Sequence, residues 1–162
     1  MPLTNNVLTV LWWGGYTILC IWGQRAIPGV DFFAAGLILS LQKEERLEVT
    51  LSLIVLWMLL LEGTGNLPFG YGLAWYGLLT AFYFMGQWLF EARSFLFMAL
   101  LGLALGILHP ILVCSLSSLA KLHVPVQPLL IQGAMQAGAF FLIWLIVDFS
   151  YPQRLRQHVK SL

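Results

Sequence analysis

Residues 95–116 read "FLFMALLGLALGILHPILVCSL", a run with no charged side chain and one histidine, His109. A stretch this long and this apolar suffices to cross the hydrocarbon core of a bilayer as a helix. Its apolar residues are continuous rather than alternating, so it lacks the period of a barrel strand. Gly102 and Gly106 stand four apart within it, a GxxxG spacing that lets a second helix approach closely. Pro110 predicts a kink.

The signature recurs along the chain. Its 162 residues are 60% hydrophobic and 9% charged, with a mean hydropathy of +0.86, too little charge to cover a water-soluble domain of this size. The sequence predicts an all-α polytopic membrane protein: a bundle of six transmembrane helices with short loops, forming one integral domain over 1–162. The spans fall at about 7–23, 28–41, 49–62, 71–90, 95–116 and 129–149, with 150–162 as a cytoplasmic tail. Pro28 suits the start of the second. That span is short, which leaves open a tilted, partly embedded or re-entrant element.

A net charge of +1 offers nothing to nucleic acid. Cys20 and Cys114 are isolated in apolar runs and read as small buried hydrophobes, with no metal-type spacing and no cofactor motif. The stretch "MPLTNNVLTVLWWGG" carries no cation before Arg25, so the first helix is expected to be retained rather than cleaved as a signal. Six of the eight lysines and arginines fall on the side holding both termini, 42–48 and 91–93. By the positive-inside rule both termini are expected in the cytoplasm.

Residues 57–72, "WMLLLEGTGNLPFGYG", then form an outer turn built on Gly63, Gly65, Asn66 and Gly70. Despite its glycines the turn lacks the Gly-Lys-Ser/Thr ending and the preceding strand of a phosphate loop. Glu62 is harder to explain as a turn residue. At the helical rise, Glu62, His109 and Gln136 each lie about 20 Å from the same edge of their spans, with Gln132 one turn further out. Ionisable groups at such depth need partners, and a Glu62–His109 hydrogen bond extended by Gln132 or Gln136 would supply them. Such a cluster reads either as polar glue between the third, fifth and sixth helices or as a small pocket or buried switch. Catalysis is not expected: one acid and one histidine lack a second acid, a nucleophile with its base, or a metal set.

In the sixth helix Gly133/Ala137 and Ala134/Gly138 repeat the small-residue spacing and are expected where helices of this chain pack or, as the alternative, at a groove for a partner. Trp12, Trp13, Trp22, Trp75 and Trp88 lie near span ends and read as interfacial anchors. Trp57 and Trp144 lie deeper and read as packing or lipid-facing residues. "QKEERLE" (42–48) mixes signs as a solvated turn does, and Arg154, Arg156 and Lys160 in the tail suit topology and anionic lipid; either could also dock a cytoplasmic protein.

Size, span number and one central motif resemble the rod-shape-determining protein MreD family of bacterial inner-membrane proteins. In that family the third helix ends in an acid followed by a small-residue turn; here "LLLEGTGNLPFG" supplies Glu62, Gly63–Asn66 and Gly70. "FFAAGLILSLQKEERLE" and "FEARS" are similar to the family's aliphatic second helix, charged loop and arginine-bearing link. The family's acid is more often Asp, and His109-Pro110 stands where a member may carry an acid. The resemblance implies a non-enzymatic scaffold of the cell-elongation complex. Its partners would be an MreC-like single-span protein and cell-wall synthases, in the cytoplasmic (inner) membrane. The fold is also similar to the substrate-binding subunit of energy-coupling-factor vitamin transporters. That implies an alternative, a small-solute-binding subunit with Glu62, His109, Gln132 and Gln136 around its pocket. The first helix, "VLTVLWWGGYTILCIWG", lacks the Ala-xxx-Ala pair those subunits use to dock, which favours the scaffold.

Overall fold

A computed structural model describes residues 2–63, 70–91, 94–122 and 124–152. The described residues form six helices and no strand: α1 (Pro2–Ala26), α2 (Phe33–Gln42), α3 (Leu47–Gly63), α4 (Tyr71–Gly86), α5 (Phe95–Leu119) and α6 (Val126–Ser150). Two of them, α5 and α6, are long and apolar enough to cross a membrane by length and composition.

The shortest helix is the centre of the molecule. In α2, Phe33, Ala34, Ala35, Leu37, Ile38 and Leu39 are wholly buried, so it is apolar all round, as a core helix must be. It touches α1, α3, α4 and α6. The predicted start at Pro28 is corrected: the helix begins at Phe33, because Gly29 takes φ +88°. That left-handed conformation breaks a helix and favours glycine. A Cβ there would also lie 2.6 Å from Gln132 Cδ on α6. Residues 27–32 are therefore a linker pressed against α6.

Helix boundaries follow local chemistry. Ser94 Oγ accepts from Phe97 N at 3.1 Å and caps α5. Gly70, at φ +83°, turns the chain into α4. That helix stops at Gly86, four residues before the expected end, and 87–90 form a turn. The α5–α6 contact is the most extensive in the fold. A Cβ on Gly133 would lie 2.3 Å from Gly106 O, and one on Gly106 would lie 2.6 Å from Gly133 O. The two backbones touch through these glycines, with Gly102 against Ala137 O one turn along. Gly138 is corrected: it is exposed, with nothing within 4 Å of a Cβ built on it. It lies one residue past Ala137, about 100° around the helix, and so turns away from α5.

Trp75 is not an interfacial anchor but fully buried, as are Trp57 and, nearly, Trp13 and Trp144. Trp57 stacks on Phe33 at 5.4 Å and lies edge-on to Trp13 and Tyr16. Of the expected anchors, Trp22 and Trp88 are largely exposed. Cys20 is buried, and Cys114 is half-buried.

Candidate functional site

The linker carries an acid that sets the whole site. Asp31 is 5% exposed, and its position two residues ahead of α2 lets Oδ1 accept from Phe33 N at 2.8 Å, the local turn that Asp favours. From α4, Trp75 Nε1 donates to Oδ2 at 2.8 Å and Tyr76 Oη to Oδ1 at 3.5 Å. From α1, Gln24 Nε2 donates to Oδ1 at 3.3 Å. Four neutral donors thus converge on one carboxylate.

Gln136 holds the backbone of the same residue. Asp31 N donates to Gln136 Oε1 at 2.6 Å, and Gln136 Nε2 donates to the Asp31 carbonyl at 3.2 Å. A fully buried carboxamide thereby satisfies both main-chain groups of a residue outside any helix, which would otherwise be orphaned. The α1 side closes the linker further: Tyr16 Oη donates to Phe32 O at 2.6 Å, with Cys20 Sγ 3.6 Å from the same oxygen.

Next to this network stands His109. Its Nε2 is 3.4 Å from Gln132 Oε1, and its Nδ1 is 2.7 Å from Tyr71 Oη. A carboxamide oxygen only accepts, so Nε2 carries a proton, while Nδ1 and the Tyr71 hydroxyl share the second hydrogen bond and both ring nitrogens are used. Tyr71 stacks on Trp75 at 5.6 Å, and both rings meet the imidazole edge-on. The path Asp31–Trp75–Tyr71–His109–Gln132 is continuous.

The structure pairs the expected residues differently: His109 with Gln132, and Gln136 with Asp31. Glu62 does not reach His109. Its Oε1 accepts from Gly72 N at 3.1 Å, in the first turn of α4, where free amides and the helix dipole favour a carboxylate. Gly63 is exposed beside it, while Gly65 and Asn66 lie outside the described residues. The acid in the cluster is Asp31, which lies inside the expected second span and carries no motif of its own in the sequence. Its signal was available: an acid just ahead of a wholly apolar helix, beside a Pro-Gly turn.

A second polar cluster lies at the other end of α2. Lys43, itself buried, forms an ion pair with Asp148 and lies 5.6 Å over the Tyr151 ring. Trp144 Nε1 donates to Gln42 Oε1 at 2.8 Å, and Glu45 Oε1 accepts from both Tyr151 Oη and Trp13 Nε1. Along α5 and α6 runs an open groove of about 680 Å³, floored by Gly106, Gly133 and Ala137 and walled by Leu103, Ile107 and Leu130.

Among the described residues the arrangement positions and fastens the linker. Each polar group of the Asp31 end is engaged by another part of the chain. No protein-family model, no curated protein and no solved structure matches the chain.

Proposed function

We propose that this chain is a multi-pass membrane scaffold whose six helices sit in the bacterial inner membrane with both termini cytoplasmic. Its job on this reading is to hold an MreC-like single-span protein and cell-wall synthases in the elongation complex. The observation that carries the membrane part is the distribution of apolar groups. Large hydrophobic side chains point outward on every long helix: Leu19 and Trp22 on α1, Leu59 on α3, Leu73 on α4, Ile107 on α5 and Ile146 on α6, each more than half exposed. Such a surface is at home in lipid and a liability in water. Polar groups meanwhile pair in the interior, as they do in membrane bundles.

The scaffold part rests on the resemblance of "LLLEGTGNLPFG" and gains support from where that motif stands. Glu62, the acid of that motif, accepts from Gly72 N in the first turn of α4 and so ties α3 to α4. The interior polar residues secure the linker and helices to one another, which suits a rigid platform. Pull-down of the full chain in mild detergent is expected to recover a single-span partner with cell-wall synthases, and depletion is expected to round rod-shaped cells. Recovery of an energising ATPase module would replace this reading with the solute-binding one.

A further inference from the structure

Asp31 presents a problem that hydrogen bonding alone does not close. It is an acid buried against Gln24 of α1, the start of α2, Trp75 and Tyr76 of α4, and Gln136 of α6. None of these is a cation. The titratable groups that face it are Tyr16 and Cys20 from α1 and Tyr71 and Tyr76 from α4, with His109 of α5 on the far side of Trp75. Gln132 and Gln136 from α6 carry no charge, and Arg25 is exposed. A carboxylate enclosed without a counter-charge is costly, and the usual remedy is to take up a proton.

The surroundings are built for both states. Phe33 N and Trp75 Nε1, each at 2.8 Å, are obligatory donors and fix one lone pair on each oxygen. The other two partners are longer, at 3.3 and 3.5 Å, and both are reversible. A carboxamide that turns over presents Oε1 in place of Nε2, and a phenol hydroxyl accepts as readily as it donates. When a proton from water adds to Oδ1, the new O–H can therefore donate to Gln24 or Tyr76 while the two short bonds remain. We propose that Asp31 is a buried proton-binding site, with Gln24 and Tyr76 as the partners that reverse when the carboxyl takes up its proton. The site lies in the linker, outside α1 and α2, and it does not depend on which partner protein the chain meets.

The electrostatics agree with the geometry. Burial pushes the Asp31 carboxyl up from its ordinary 3.8 to about 6, against the opposing pull of the Trp75, Phe33 and Tyr76 donors. The folded protein then holds this proton more tightly than the unfolded chain. Asp31 costs stability above the folded value, and that cost fades as pH falls through about 6 toward the unfolded value. Acid tightens the linker rather than releasing it.

The test uses the purified full chain in detergent, compared with Asp31→Asn, which mimics the neutral acid. Infrared spectra taken from pH 8 down to pH 5 are expected to gain a protonated-carboxyl band in the wild type that the variant lacks. At pH 8 Asp31→Asn is expected to melt higher than the wild type by roughly 5 °C, with the gap about halved at pH 5 and closing only toward the unfolded value of 3.8. Trp75→Phe removes a donor that favours the ionised form, so the midpoint of the band is expected to move to higher pH. If Asp31→Asn does not fold, the direction of that Trp75→Phe shift decides. A variant that melts lower than the wild type at pH 8, a band unchanged in Asp31→Asn, or a midpoint that Trp75→Phe lowers or leaves in place would each overturn the proposal.

Discussion

The two ends of α2 solve the same problem in different ways. At the Lys43 end, a buried cation meets an acid, Asp148, that keeps about a third of its surface exposed. At the Asp31 end, a buried acid meets only neutral donors from two helices, α1 and α4, and its own turn. The first arrangement fixes charge in place and ties α2 to the last turn of α6. The second leaves the charge negotiable, because the environment can satisfy either protonation state. A core helix can therefore be anchored at both termini by different means. The physical distinction is whether compensation comes from a formal opposite charge or from dipoles that can turn round.

Substitutions at the two anchors test that comparison. The largest effect is expected for Gln136→Leu, which strips both partners from the buried backbone of Asp31 and costs about 3 kcal/mol in denaturation of the detergent-solubilised protein. A loss below about 1 kcal/mol would mean that the linker finds other partners. At the opposite end, Asp148→Ala leaves a buried lysine without its counter-ion and should cost about 2 kcal/mol, moderated by the exposure of Asp148. Lys43→Met removes the buried charge along with its partner's need and should cost less than Asp148→Ala. Equal losses would show that the ion pair is stabilising by attraction rather than by avoiding an unpaired charge. Trp144→Phe deletes one donor to Gln42 and should cost about 1 kcal/mol, read from the shift in denaturation midpoint. The smallest effect belongs to Glu62, outside both anchors. Glu62→Leu should cost about 1 kcal/mol through loss of the contact to Gly72 N, and Glu62→Gln less than half of that, because an amide oxygen still accepts.

Much of the architecture was legible from one-dimensional pattern. Uninterrupted apolar runs located six helices, and their ends were misjudged mainly where a local conformation intervened, as at Gly29. The small-residue spacing correctly pointed to Gly102, Gly106, Gly133 and Ala137, since spacing of four residues marks one helix face. It also pointed to Gly138, because the same spacing recurs one residue along, on a face that meets nothing. The depth count brought His109, Gln132 and Gln136 to one level, as arithmetic on the helical rise can. That arithmetic could not say which acid joins them. Glu62 and Asp31 are both acids beside apolar segments, and only the path of the linker decides which one is drawn inward. Tyr71 and Trp75 were hidden for a related reason: aromatic residues near a span end look alike whether they turn toward lipid or toward the core.

The sequence by itself determined that this chain folds as helices and which small residues share a helix face, because periodicity, length and residue size act locally. Tertiary structure alone decided that the shortest helix is the core. It also decided that Asp31, rather than Glu62, is the enclosed acid. Both outcomes depend on contacts between residues as much as 105 positions apart, and no local pattern encodes which distant donor a buried carboxylate will meet.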